Sequence, residues 1–392
     1  MKLNHNSPVI QQPRFPIPLL GGPALPSPTT PDTVTLDGDA IRRREQELNL
    51  LSAGGQINPG WATVAGGLRV ETHKPNATLA VIDGFGIELN PSTWRIGPAH
   101  GEITSALALQ ASGSGESNLL RIDTGGLSFP PIDSTLPFGQ NIDRFVTGAY
   151  TTTAQSTTDA LREIRLNHPS ITTVNQSEGM SGPSLVSLLA GQAGRDPEFA
   201  ARLRNELGLP GDTNLQSPEA MVALANRVQH SLQNSPDVNR VQRNLDAELQ
   251  RSQGHFTYVN SAGNSGQVQA FLADHGFTFD ARFAGNAPAQ NPLTQTVAAT
   301  TTRTTLGGET TLPAVYSQQI PSDWHADGEV RPYMDGFQVC GSIQPSLIPS
   351  AQACTPYEGT SFAAPRIAGE LNADSLAFQR LMQQALPPSI AE

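Results

Sequence analysis

From Asn76 onward the chain alternates short apolar runs ending in polar residues with segments of helical period, and this rhythm constrains its fold more than any other feature. The runs "TLAVID" (78–83), "NLLRID" (118–123), "ITTVNQ" (171–176), "FTYVNS" (256–261) and "QTVAATT" (295–301) read as strands. Between them, "HGEITSALALQAS" and "TTDALREIRLNHP" read as helices, the second capped by Thr157 or Thr158 and stopped by Pro169. Strands and helices in alternation predict an α/β fold of three layers, with a mostly parallel central sheet covered by helices on both faces. In such a sheet the working side chains gather at the carboxyl ends of the strands.

The flanks and one internal segment depart from this pattern. Residues 1–38 are Pro-rich and aperiodic, which predicts a disordered arm. The stretch "GDAIRRREQELNLLSAGG" places Ile41, Leu48 and Leu51 on one helical face, so 39–75 reads as a short helical extension before a main domain at 76–385. Within that domain, 184–252 carries two or three helical patterns broken by Gly, Pro and Asp. It reads as a helical insertion that protrudes from the sheet-centred core and could shape or cover a cleft. No solenoid-type repeat is present.

The charge balance narrows the partners. Against 35 Asp and Glu the chain has 24 Lys and Arg, a net charge of −11, which argues against nucleic acid or an anionic membrane as the main partner. No run is apolar and long enough to span a bilayer. Proline interrupts each apolar cluster of the first residues, so no conventional secretory signal is expected, and the compartment stays open between cytosol and leaderless export. Cys340 and Cys354 could form a disulfide in an oxidising compartment or remain two thiols in a reducing one.

The chemistry concentrates in "YEGTSFAAPRIAG" (357–369). A helix opening at Thr360 and Ser361 would turn its unpaired first-turn amides toward whatever lies in front of the hydroxyl. Ala363, Ala364, Ala368 and Gly369 would let that helix pack closely. Gly359, Thr360, Ser361, Ala363 and Pro365 match Gly-Thr-Ser-x-Ala-x-Pro, and here the chain resembles the subtilisin-like serine proteases. A serine hydroxyl needs a base, and the base needs a carboxylate to orient it.

The resemblance supplies candidates for both. His100, opening "HGEITSALALQA", is similar to the family's His-Gly-Thr-x-x-Ala helix, although Glu102 stands where the family has threonine; His275 is also followed by glycine but comes late in the family's order. Asp83 ends a strand ahead of His100, whereas its rival Asp123 in "LLRIDTGG" comes after it, so the order Asp, His, Ser selects Asp83. "YVNSAGNSG" resembles the family's Ala-Gly-Asn segment and implies Asn264 as an oxyanion donor beside the Ser361 amide. "TTVNQSEGMSG" resembles the Asn-x-Ser-x-Gly segment that pairs with an extended peptide, implying Ser177, Glu178 and Gly179 as substrate-binding residues. Glu178 replaces the family's usual leucine and reads either as a solvated turn carboxylate or as a selector of basic side chains.

The resemblance thus implies a serine endopeptidase acting on a protein or peptide substrate, with no cofactor required and a structural calcium possible. Two other readings remain. One is a catalytically impaired subtilase-fold interaction protein, motivated by the altered loops around Asp83 and His100. The other is a sedolisin-like acid peptidase, which would use a glutamate where this chain has His100.

Overall fold

The computed structural model describes residues 60–385, except for 331–356 and short interruptions at 86, 91–94, 127–128, 131–132, 134, 287, 289–290, 306–307, 319, 321 and 323. The Pro-rich arm, the helix expected around 41–51 and both cysteines therefore lie outside the described residues. In chain order the strands are β1 (Trp61–Thr63), β2 (Arg69–Glu71), β3 (Leu79–Asp83), β4 (Ile87–Asn90), β5 (Arg95–Pro98), β6 (Leu119–Asp123), β7 (Thr173–Gln176), β8 (Thr257–Ser261), β9 (Thr294–Thr305), β10 (Gly308–Pro313), β11 (Trp324–Asp327), β12 (Glu329–Val330) and β13 (Tyr357–Glu358). The helices are α1 (His100–Ser112), α2 (Phe138–Asn167), α3 (Gly182–Arg195), α4 (Pro197–Glu206), α5 (Pro218–Asn234), α6 (Pro236–Ser252), α7 (Gly266–Asp274), α8 (Ala281–Ala284) and α9 (Thr360–Ala385).

The main sheet runs β1-β2-β6-β3-β7-β8-β9-β10, with β11 also on β9. Its centre is parallel: β6, β3, β7, β8 and β9 pair in that sense, and β11 joins β9 likewise. The edges are antiparallel, β1 and β2 beside β6 and β10 beside β9. The fold is accordingly α/β around a mostly parallel mixed sheet. From β3 the chain first crosses to β6 on one side, then returns to β7 on the other, so the connections diverge above β3 and β7. Parallel sheets open a crevice at such a point, outside the carboxyl ends of the strands.

Strand periodicity divides the core between the two faces. In β3, Ala80 and Ile82 pack with Leu161 and Ile164 of α2 and Leu245 and Leu249 of α6. Leu79 and Val81 point oppositely, into a layer shared with Ala108 of α1 and Ala363, Ala364 and Ile367 of α9. Asp83 continues the second set, because side chains two apart share a face. It therefore emerges under the two helices that begin with His100 and Thr360.

Three details differ from expectation. Residues 61–63 and 69–71 build two strands onto the sheet with a single 3-10 turn, Ala65–Gly67, between them, so this part of the 39–75 extension is mainly strand and not α-helix. The helix expected to start at Thr157 or Thr158 begins at Phe138; both threonines lie inside it, their hydroxyls donating to the carbonyls of Thr153 at 2.9 Å and Ala154 at 2.8 Å. A back-bonded threonine satisfies its polar group without ending the helix, which is why a cap signal misleads there.

The third concerns 184–252, which holds parts of four helices and does not stand away from the core. Helix α6 covers the sheet with α2, and Glu248, fully buried, accepts from Arg165 Nε of α2 at 2.7 Å. Helices α3, α4 and α5 pack with α2, α7 and α8 into a second apolar cluster. Each of α3 to α6 is started by a side chain accepting first-turn amides, Ser181, Asp196, Ser217 and Ser235 respectively, with proline in the first two positions.

Helices α1 and α9 run side by side in the same sense. Phe362 clusters with Ile103 and Leu107, while further along both helices Gly369 lies against Ala108 and Ser112. A Cβ at Gly369 would fall 2.3 Å from the Ala108 carbonyl oxygen and 2.7 Å from Ala111 Cβ. Gly369→Val should therefore separate the helices and lower unfolding free energy by about 1–3 kcal/mol, measured by denaturant titration; unchanged stability would contradict this close crossing.

Candidate active site

Asp83 closes β3 with its carboxylate completely buried (0% exposed) and surrounded by donors. His100 Nδ1 lies 2.8 Å from Oδ1 and 2.9 Å from Oδ2, Thr104 Oγ1 donates to Oδ2 at 3.0 Å, and the Gly84 amide donates to Oδ1 at 2.8 Å. Because an ionised carboxylate only accepts, Nδ1 carries the ring hydrogen and Nε2 is the basic nitrogen of the neutral imidazole. Two glycine-dependent approaches allow this meeting. The Gly101 amide donates to the Gly84 carbonyl at 2.8 Å, and a Cβ on Gly101 would fall 2.6 Å from that oxygen and 3.0 Å from Asp83 Cβ.

The rival residues have other employment. Asp123 ends β6 beside Asp83 in register and is 1% exposed, but it binds the Arg69 guanidinium and accepts the amides of Phe85 at 3.3 Å and Gly125 at 2.8 Å. It thus anchors the loop after β3 to the edge strands. His275 caps the end of α7, with Nδ1 bonded to the Phe271 carbonyl at 2.7 Å.

Ser361 is the second residue of α9 and 8% exposed. Its neighbour Phe362 brings a ring to 5.4 Å from the His100 imidazole, so the serine turn and the histidine turn adjoin. The Ser361 hydroxyl donates to the Ser177 carbonyl at 3.2 Å, a carbonyl that also accepts Ser261 Oγ at 3.0 Å. Helix α9 continues through Pro365, which sits in its second turn and not the first; the ring removes the amide that would have bonded the Ser361 carbonyl.

Asn264 follows β8 and is exposed, beside the start of α9. Its Oδ1 accepts the Thr360 amide at 2.7 Å and the Thr360 hydroxyl at 2.9 Å, while Thr360 Oγ1 accepts the Gly263 amide at 3.0 Å. With the oxygen committed inward, the amide group of Asn264 presents Nδ2 as a donor over Gly359, where a Cβ would fall 3.1 Å from it. The first-turn amides of α9 and this side-chain donor lie next to one another.

The loop after β7 reaches the same place. Ser177 supplies the carbonyl under Ser361, and Gly179 is packed so closely on Asn286 that a Cβ would lie 2.2 Å from its side-chain carbon. Glu178 is not a solvated turn carboxylate. It turns inward, accepting Thr124 Oγ1 at 3.0 Å, with a carboxylate oxygen inside 4.8 Å of the ligand atoms of Asp83 and His100. Burial first, and the Asp83 charge second, push the Glu178 carboxyl up to about 8, with His100 acting in the opposite direction.

Two contributors escaped sequence reasoning. Thr104 lies one helical turn after His100, so its support of Asp83 was available as an i, i+4 spacing on one face. Thr124, by contrast, gave no signal beyond its place after a strand.

Among the described residues, the carboxylates of Asp83 and Glu178 and the imidazole of His100 are the group compact enough for one cation, their ligand atoms all within 4.8 Å of one another. Each Asp83 oxygen is already occupied by donors. The cluster is a hydrogen-bonded array, and we assign no metal to it. No helix among the described residues is long and apolar enough to cross a membrane.

The geometry as a whole assembles Asp83, His100, Ser361, Asn264 and the 177–179 loop at the carboxyl ends of β3, β7 and β8 and the beginnings of α1 and α9. Neither the known protein-family models nor the curated proteins contain a match to this chain.

Proposed function

We propose that the protein is a serine endopeptidase of the subtilisin-like type, hydrolysing peptide bonds of a protein or peptide substrate through an Asp83/His100/Ser361 triad. The observation that carries this reading is the two-oxygen contact of Asp83 with His100 Nδ1, made where the serine-bearing start of α9 adjoins the imidazole. That contact fixes the ring so that Nε2, not Nδ1, is the base.

In the forward reaction the Ser361 hydroxyl leaves the Ser177 carbonyl and attacks the substrate carbonyl carbon, its proton passing to His100 Nε2. Asp83 holds the imidazolium that results. The substrate oxygen gains the negative charge, which Asn264 Nδ2 and the Ser361 amide stabilise at the positive end of α9. Collapse of the tetrahedral species transfers the His100 proton to the leaving amine and leaves an acyl-serine. Water then repeats the sequence, attacking the ester while His100 accepts its proton, and returns Ser361 free. Nothing in these steps draws on a metal or an organic cofactor.

The impaired, peptide-binding reading keeps one observation in its favour: the Ser361 hydroxyl donates to a backbone carbonyl in the resting state. Rotation about χ1 is the motion that would release it, exchanging this hydrogen bond for one to His100 Nε2. The sedolisin-like reading loses ground because His100 itself occupies the position against Asp83.

Peptide-library cleavage by the purified protein and its Ser361→Ala variant tests the proposal. Cleavage by the parent and none by the variant is the expected outcome, and equal products from both would exclude Ser361 as nucleophile. Removal of the side-chain oxyanion donor in Asn264→Ala should reduce kcat by about 10²–10³, equivalent to about 2.7–4 kcal/mol, with little change in KM. A change confined to KM would move Asn264 from the transition state to substrate binding.

A further inference from the structure

We infer that Asn286 and Gln318 set the substrate specificity of the site: their buried side chains fill the space beside Ser361, so that the protein acts on peptides carrying glycine, alanine or serine at the residue whose carbonyl is attacked. The inference rests on the peptidase reading for which substrate residue that is, while the filling itself belongs to the fold.

Two loops flank Ser361. The loop after β7 supplies the Ser177 carbonyl under its hydroxyl, and the loop after β8 supplies Asn264 beside the start of α9. Because β7 and β8 are parallel neighbours, the two loops leave adjacent strand ends and bound one space between them. A peptide whose carbonyl oxygen rests between Asn264 Nδ2 and the Ser361 amide has that residue's side chain either in this space or out in solvent. The room between the loops therefore decides which side chains can be held.

Each loop turns a glycine to that space, and opposite each glycine a side chain is already in place. A Cβ on Gly179 would fall 2.5 Å from Asn286 Nδ2, and one on Gly263 would fall 2.7 Å from Gln318 Cδ and 3.2 Å from Asn286 Oδ1. Asn286, which follows α8, thus bridges the two loops, with Gln318 against the second. They are 4% and 2% exposed.

Both amides are tied down. Asn286 Nδ2 donates to the Ser261 carbonyl and to Ser261 Oγ, each at 3.0 Å, and Ser261 Oγ in turn donates to the Ser177 carbonyl on which the Ser361 hydroxyl rests. Gln318 Nε2 donates to the Ala284 carbonyl at 2.6 Å, its Oε1 accepts Ser181 Oγ at 3.2 Å, and its backbone amide donates to the Gly263 carbonyl at 2.9 Å. A large substrate side chain could enter only by displacing these groups. Buried donors and acceptors would then lose their partners, which cancels what burial of the apolar side chain returns. A hydrogen, a methyl or a hydroxymethyl group requires no such displacement.

Charge does not substitute for size here. Glu178 lies on the other side of its loop, toward β3 and β6, where it accepts Thr124 Oγ1 at 3.0 Å and stands within 4.8 Å of Asp83 and His100. The side chains named around the space are neutral, so a lysine or arginine gains no ion pair from them.

The experiment compares peptides that differ only at the attacked residue, alanine, serine, leucine, phenylalanine or lysine, in two assays on the full chain. The first measures kcat/KM for cleavage by the parent, Asn286→Ala and Gln318→Ala. The second measures binding of the corresponding product peptides, which end in that residue, to the uncleaving Ser361→Ala variant. In the parent, cleavage after alanine or serine should exceed cleavage after leucine, phenylalanine or lysine by roughly a hundredfold. Removing either amide should raise leucine relative to alanine by about tenfold, each variant being compared with its own cleavage after alanine. Cleavage by the parent after phenylalanine as readily as after alanine, or an unchanged ratio in the folded variants, would overturn the inference. Should both variants fail to fold, the parent's own preference decides. Tighter binding of the small-ended peptides by a protein that cleaves none of them would sink the peptidase reading alone, and equal binding of all the peptides would overturn the inference whether or not cleavage occurs.

Discussion

The contact between Asp83 and His100 is the constraint around which the site is organised. It joins the end of the central strand to the start of a helix packed over the sheet, and it is possible only where backbone comes unusually close to backbone. Gly101 permits the approach, Thr104 and the Gly84 amide complete the carboxylate's bonding, and the parallel course of α1 and α9 brings Ser361 to the same end. A buried carboxylate without such donors would be costly, so its saturation marks a group that is meant to carry charge.

The fold explains why these residues can meet although hundreds of positions separate some of them. Parallel strands deliver all their carboxyl ends to one edge of the sheet, and the connections diverge on either side of β3. Period-two alternation then puts Asp83 on the face covered by α1 and α9 while Ile82 enters the opposite core. The four helices after β7 thicken that opposite layer, and their cap-and-proline starts let the chain reverse repeatedly without exposing helix ends.

Much of this was legible in the sequence because it follows local rules. The runs of β3, β6, β7 and β8 and helix α1 were read within a residue or two of their ends, while β9 runs four residues past its expected end, and chain order distinguished Asp83 from Asp123 before the Arg69 contact was known. What escaped depends on distant partners. The long α2 was cut short because threonines bonding back within a helix look like caps, and the helical segment after β7 was read as protruding because its apolar faces gave no indication of what they meet. Glu178 was misjudged for the same reason: a glutamate between serine and glycine looks like a turn until Asp83 and Thr124 are found against it.

The central claim is that an alcohol at position 361 is made nucleophilic by an imidazole that Asp83 orients. Mass spectrometry of the folded protein after treatment with a fluorophosphonate addresses it directly, since the reagent records activation at a single atom whatever the natural substrate. The account predicts one adduct, located on Ser361, and strong slowing of its formation in His100→Ala. A folded protein that takes no adduct, or that takes it equally well without His100, would contradict it.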